Sequence, residues 1–265
     1  MKKKIALIQM DVRLGEPDVN YAHALSLMER AMEDEPDILV LPELFNTGFL
    51  PRPIETLRAL SDEGGERTKE LFDSFAKRCG VNIIAGSAAV LEAGAVYNRS
   101  YVFDRTGGVI ASYDKIHGFS PVREAEFMKG GSHTVRFLLD GVPASMAICY
   151  DLRFPELIRT ETLRGADLFF LPAAWPLVRI DHWEILSRAR AIENQMYLCA
   201  VNTCGMAGAV KYGGHSLLLS PWGDVVCRLG EAEEIRTETA DLDALAEIRE
   251  RINVFRDRRP EMYHL

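Results

Sequence analysis

Apolar and polar residues recur along this chain with two different periods, and the two interleave almost throughout. Ile5–Met10 is a nearly continuous apolar run of strand length. Tyr21, Leu25, Met28 and Met32 then return at helical spacing behind Pro17. Asp37–Leu41 reads as a short strand stopping at Pro42-Glu43. Leu71, Phe72, Phe75, Ala76 and Cys79 form a second helical stripe closed by Gly80. Val81–Val90 reads as one strand, and Val96–Phe103 with Val109–Tyr113 as a hairpin turned at Thr106-Gly107-Gly108. A small, apolar run over Val142–Ile148 ends abruptly at Cys149, with Pro155 placed for the first turn of a helix. Ala166–Pro172 predicts a strand, Trp183, Leu186, Ala189 and Ile192 a longer helix, and Tyr197–Asn202 another strand. His215–Ser220 and Asp224–Leu229 form a last hairpin about Pro221-Trp222-Gly223. Apolar strands between amphipathic helices, mixed with hairpins, predict an α/β fold with sheets covered by helices, in one domain over residues 1–265 without a separate cofactor module.

Composition narrows the partners. With 31 basic against 39 acidic residues, the net charge of -8 disfavours nucleic acid or an anionic membrane as the main partner. The opening Met1–Asp11 predicts a strand rather than a signal peptide, because Gln9 and Asp11 break its apolar stretch and no small-residue cleavage site follows. No stretch reaches membrane-spanning length. Five scattered cysteines without a CxxC pair suit free thiols in a reducing cytoplasm. Cys199 and Cys204 have no matching His or Cys pair to complete a zinc site.

Three predicted strand ends each deliver a chemically distinctive side chain: Glu43 after Leu39–Pro42, Lys115 after Ser112–Asp114, and Cys149 at its strand-to-helix corner. Taken singly, each has an ordinary reading, as a buried thiol or a solvated charge. Brought together, they can run acyl transfer: a cation beside the thiol favours the nucleophilic thiolate, a desolvated carboxylate moves protons, and an ammonium holds an oxyanion.

The local sequences add specificity. Leu41-Pro42-Glu43-Leu44-Phe45, Tyr113-Asp114-Lys115-Ile116-His117 and Ile148-Cys149-Tyr150-Asp151-Leu152-Arg153-Phe154-Pro155-Glu156 resemble, in order, the three signatures of the nitrilase (carbon–nitrogen hydrolase) superfamily. The resemblance extends through Trp175-Pro176, His182-Trp183, Arg188–Gln195, Gly214-His215-Ser216 and Val254–Asp257, and is strongest to the ω-amidase branch. It implies a four-layer α-β-β-α sandwich, commonly paired as a homodimer or higher oligomer, and a cysteine hydrolase needing no metal or organic cofactor. Cys149 would be the nucleophile, Glu43 the general base, and Lys115 the oxyanion donor, assisted by the Tyr150 N–H. A second glutamate is implied at Glu124, with Glu126 as the alternative. Gly118-Phe119 stands where a Leu-Phe pair is more usual.

The implied substrates are small ω-amides of the 2-oxoglutaramate or 2-oxosuccinamate type, against nitriles, N-carbamoyl amines or other aliphatic amides. Arg153 and Arg179 are candidates for a distal carboxylate, because a guanidinium fork fits one bidentately. Trp175 is a candidate pocket wall, and His117, two residues from Lys115, a candidate for the same face. A Cys–His hydrolase using His117, His182 or His215 is the rival reading outside this superfamily.

Overall fold

In the computed structural model, which describes residues 1–263, two β-sheets pack face to face with helices on both outer sides. The first sheet runs, edge to edge, Glu234–Asp241, Lys2–Gln9, Ile38–Val40, Asn82–Ile84, Ala95–Phe103, Ala88–Glu92 and Asp62–Glu63, with Val109–Asp114 also paired to Ala95–Phe103. The second runs Val225–Arg228, Leu217–Leu219, Tyr197–Asn202, Leu168–Ala173, Val142–Met146 and Arg136–Leu139. The α-β-β-α sandwich is therefore borne out.

Side-chain alternation explains the layering. Ile5, Leu7, Ile38 and Val40 share a core with Met146, Phe170 and Leu198 of the second sheet. Their neighbours Ala6, Ile8, Leu39 and Leu41 face the opposite way, against Tyr21 and Leu27 of helix Pro17–Ala31 and Phe72 and Phe75 of helix Glu66–Cys79. Both faces of these strands are buried, which is why they read as continuous apolar runs. A one-residue slip would exchange the two cores, so the register is strongly specified. Helices Pro155–Leu163 and Ile180–Asn194 cover the second sheet through Leu157, Ile158, Trp183 and Ala191. Among the described residues no helix is long and apolar enough to cross a membrane.

Two differences from the predicted elements stand out. The run Val81–Val90 is two strands, Asn82–Ile84 and Ala88–Glu92, separated by a bend at Ala85-Gly86-Ser87. Gly86 has φ +59, and a Cβ there would lie 2.0 Å from the Pro42 carbonyl oxygen, so the bend requires glycine. The bend in turn holds the segment after Pro42: Ser87 N–H donates to Pro42 O at 3.2 Å, and Leu44 N–H to Ser87 Oγ at 2.9 Å. The second difference is an unforeseen strand, Glu234–Asp241, which pairs antiparallel with Lys2–Gln9 along its whole length.

Candidate active site

Strand direction brings the candidate residues to one edge. Ile38–Val40 and Asn82–Ile84 are parallel; Ala95–Phe103 is antiparallel to the latter and Val109–Asp114 antiparallel again. Val109–Asp114 consequently points the same way as Ile38–Val40, and Lys115 and Glu43 leave the first sheet on the same side. In the second sheet, Val142–Met146 and Leu168–Ala173 are parallel and end near Cys149 and Ala174. Glu43 N–H donates to Ala173 O at 3.4 Å, joining the two sheets at this edge. Sites at the carboxyl ends of parallel strands are the general rule for α/β sheets.

Glu43, Lys115 and Glu124 are all but fully buried. Lys115 Nζ donates to Glu43 Oε1 at 2.9 Å and to Glu124 Oε2 at 2.8 Å. The second Glu43 oxygen accepts the Ala174 N–H at 2.7 Å, and Glu124 Oε2 also accepts the Phe119 N–H at 2.7 Å. Asn98, likewise buried, donates Nδ2 to Glu43 at 2.8 Å and to Glu124 at 3.4 Å, while its backbone carbonyl receives the Lys115 N–H at 2.9 Å. Burial alone would depress the Lys115 pKa, but Glu43 and Glu124 outweigh it and raise it, so the ammonium stays charged. Glu126, by contrast, is exposed and pairs with Arg123; the geometry selects Glu124 for Lys115.

Cys149 occupies the left-handed region at φ +49, between the strand Val142–Met146 and a short 3-10 turn over Cys149–Arg153. Such a conformation is sparsely populated by non-glycine residues and is typical of functional corners. The first N–H groups of the turn, at Cys149 and Tyr150, fall where helical turns leave donors without an internal partner. Burial pushes the Cys149 thiol pKa well up, the Glu43 carboxylate adds to this, and Lys115 opposes it without prevailing. Lys115 thus favours the thiolate, as expected of an adjacent cation, while burial and the Glu43 carboxylate favour the thiol.

A cavity of about 280 Å³ opens onto Cys149 and Ala174, with walls from Phe49, Phe119, Tyr150, Trp175 and Tyr212. The Lys115 ammonium lies 5.5 Å from the Phe49 ring centroid. Arg153 and Arg179 line the same cavity, and neither forms an ion pair among the described residues. The Arg153 guanidinium sits 4.8 Å over Trp175 and donates to His182 Nδ1 at 3.2 Å. Arg179 sits 5.1 Å over Phe119, and its carbonyl receives the Trp175 indole N–H at 2.8 Å.

The carbon–nitrogen hydrolase family model matches residues 4–250. This chain belongs to that family. It is 42% identical to a 2-oxoglutaramate amidase of Bacillus subtilis, over 99% of this chain and 100% of the relative. It is 34% identical to the omega-amidase NIT2 of Homo sapiens, over 98% and 96%. Among solved structures, XC1258 of Xanthomonas campestris, a CN-hydrolase superfamily protein with an arsenic adduct in its active site, superposes with a TM-score of 0.91 at 29% identity, over 100% of this chain and 99% of that one.

In this carbon–nitrogen hydrolase His117 stands outside the cavity, contrary to the expectation that it shares the face of Lys115. The strand carrying Lys115 ends at Asp114, so alternation no longer applies two residues beyond Lys115. His117 does not line the cavity; its ring stacks on Phe154 at 3.6 Å and its Nδ1 bonds Asp151 at 2.7 Å. Among the described residues no histidine lines the cavity holding Cys149, which removes the support for a Cys–His pair. Three contributors were not foreseen. Asn98 is one polar residue in a strand, whereas Phe49 and Tyr212 reach the cavity from distant connecting segments. Only the pairing of Ala95–Phe103 with Val109–Asp114 locates Asn98 beside Lys115.

Proposed function

We propose that this carbon–nitrogen hydrolase cleaves a short ω-amide bearing a distal carboxylate, of the 2-oxoglutaramate or 2-oxosuccinamate type, to the dicarboxylic acid and ammonia. The observation that carries this reading is a cavity ending on Cys149 that also holds two guanidinium groups, Arg153 and Arg179, outside any ion pair among the described residues. A carboxylate entering such a cavity gains charge-assisted hydrogen bonds, while the apolar wall excludes water. The names of the bacterial and human relatives point the same way.

Cys149 Sγ attacks the amide carbon as its proton passes to Glu43. Lys115 and the Tyr150 N–H stabilise the oxyanion. Glu43 returns the proton to nitrogen as the C–N bond breaks, ammonia leaves, and a thioester remains. Water attacks the thioester, losing its proton to Glu43, which then reprotonates the departing Cys149 thiolate. Glu124 keeps Lys115 charged and aimed. The cycle balances with water as the only co-reactant. Residues 1–265 are proposed to act as one domain, in a homo-oligomer located in the cytoplasm.

Ammonia release measured with 2-oxoglutaramate, glutamine, an uncharged amide of the same length and a simple nitrile tests the substrate class. Strong preference for the 2-oxo acid amide is expected. Equal turnover of the uncharged amide, or preference for the nitrile, would contradict it.

A further inference from the structure

Asp151 is fully buried, and all its hydrogen-bonding capacity is directed at the two segments that deliver Lys115 and Cys149. One carboxylate oxygen accepts the Ile148 N–H at 3.0 Å and the Tyr113 hydroxyl at 2.7 Å. The other accepts the His117 N–H at 3.0 Å and faces the His117 ring Nδ1 at 2.7 Å. Because a carboxylate only accepts, Nδ1 carries its proton there. The four donors bracket both candidate residues: Tyr113 and His117 stand two positions either side of Lys115, and Ile148 immediately precedes Cys149.

The Asp151 N–H also donates to Ile148 O at 3.0 Å, so residues 148 and 151 are bonded reciprocally around Cys149 and Tyr150. That closure encloses the left-handed Cys149 and the Tyr150 N–H. We infer that Asp151 is a positioning residue, a buried clamp that fixes the oxyanion site by tying the Lys115 segment of one sheet to the Cys149 turn of the other. It touches neither substrate nor reacting atoms and acts through the placement of Lys115, Cys149 and the Tyr150 N–H. The inference rests on the roles proposed above for those groups.

Asparagine at this position keeps the shape but replaces one acceptor with a donor. Set toward His117, its NH2 opposes the His117 backbone N–H; set toward Tyr113, it opposes the Ile148 N–H. Either orientation loses a backbone bond, so Asp151→Asn should loosen the clamp without removing volume.

The test is steady-state kinetics on Asp151→Asn and Tyr113→Phe, with kcat expressed per Cys149 thiol in the folded fraction isolated by size-exclusion chromatography. Displacing aligned groups by a fraction of an ångström to an ångström predicts a fall in kcat of about 100-fold for Asp151→Asn, with KM nearly unchanged. Tyr113→Phe should lower kcat by about fivefold and add little in the Asp151→Asn background, since both act on one unit. If Asp151→Asn does not fold, Tyr113→Phe and His117→Ala replace it, with the same fall in kcat alone and non-additivity in the pair. Normal kcat per thiol in a folded Asp151→Asn protein, or fully additive losses, would overturn the clamp. The two readings fail separately: retained turnover in Cys149→Ala removes the proposed chemistry, whereas an inactive Cys149→Ala beside a normal Asp151→Asn removes only the clamp.

Discussion

The polar cluster next to Cys149 and the wall of the cavity are held by different means. In the cluster, Glu43, Lys115, Glu124 and Asn98 are buried and fix one another through hydrogen bonds. At the wall, Arg153 and Arg179 are partly exposed and rest on the rings of Trp175 and Phe119. A buried ionic cluster tolerates little rearrangement, because each group left without its partner carries a desolvation cost. Stacked guanidinium groups keep unspent hydrogen-bonding capacity for an incoming anion. On the proposed function, chemistry falls to the cluster and selection to the wall, and variants in each region should separate accordingly.

The largest effect is expected from Glu43→Gln, which removes the proton acceptor while retaining shape. Turnover should fall by about 10²- to 10⁴-fold with KM little altered, measured by ammonia release. Glu124→Gln comes next. One Glu124 oxygen faces both the Lys115 ammonium and the Phe119 N–H, so an amide NH2 there meets only donors. A loss of about 1–3 kcal/mol in urea unfolding, together with a drop in kcat, is predicted. At the wall, Arg153→Ala or Arg179→Ala should raise KM for a carboxylate-bearing amide by roughly tenfold, equivalent to about 1.4 kcal/mol, leaving an uncharged amide unaffected. A matching KM increase for the uncharged amide would mean that the arginines serve packing instead.

The smallest effect concerns pH. The folded Cys149 thiol titrates above its ordinary value of 9.0 through burial and the Glu43 carboxylate. Folded protein thus holds this proton more firmly than unfolded chain does, giving stability that is present below pH 9.0 and lost as pH rises above it. Cys149→Ala should flatten that alkaline fall in thermal unfolding measured from pH 8 upward. An unchanged slope would place the thiol outside the charged cluster.

Much of this arrangement was legible before the fold was known. The strands buried on both faces announced themselves as apolar runs, and Glu43, Lys115 and Cys149 each follow a predicted strand. Glu234–Asp241 did not, because its Glu, Arg, Thr and Asp residues present a largely polar pattern and its place depends on pairing with Lys2–Gln9. The bend at Gly86 lies inside a mostly apolar stretch; only the close approach of Pro42 reveals why the strand must stop. His117 lies beyond the reach of strand alternation, because its strand ends at Asp114. Asn98 and Asp151 carry no periodic signal, and their importance lies entirely in the donors and acceptors that the two sheets bring to them.

The proposed chemistry turns on a covalent bond to Cys149. Rapid acid quench of the enzyme during turnover of 2-oxoglutaramate, followed by peptide mass spectrometry, tests it most directly. The predicted result is an acyl adduct on the Cys149 peptide that accumulates and decays with turnover, with Cys149→Ala showing neither adduct nor ammonia release. Undiminished ammonia release by Cys149→Ala, or an adduct on another residue, would contradict it.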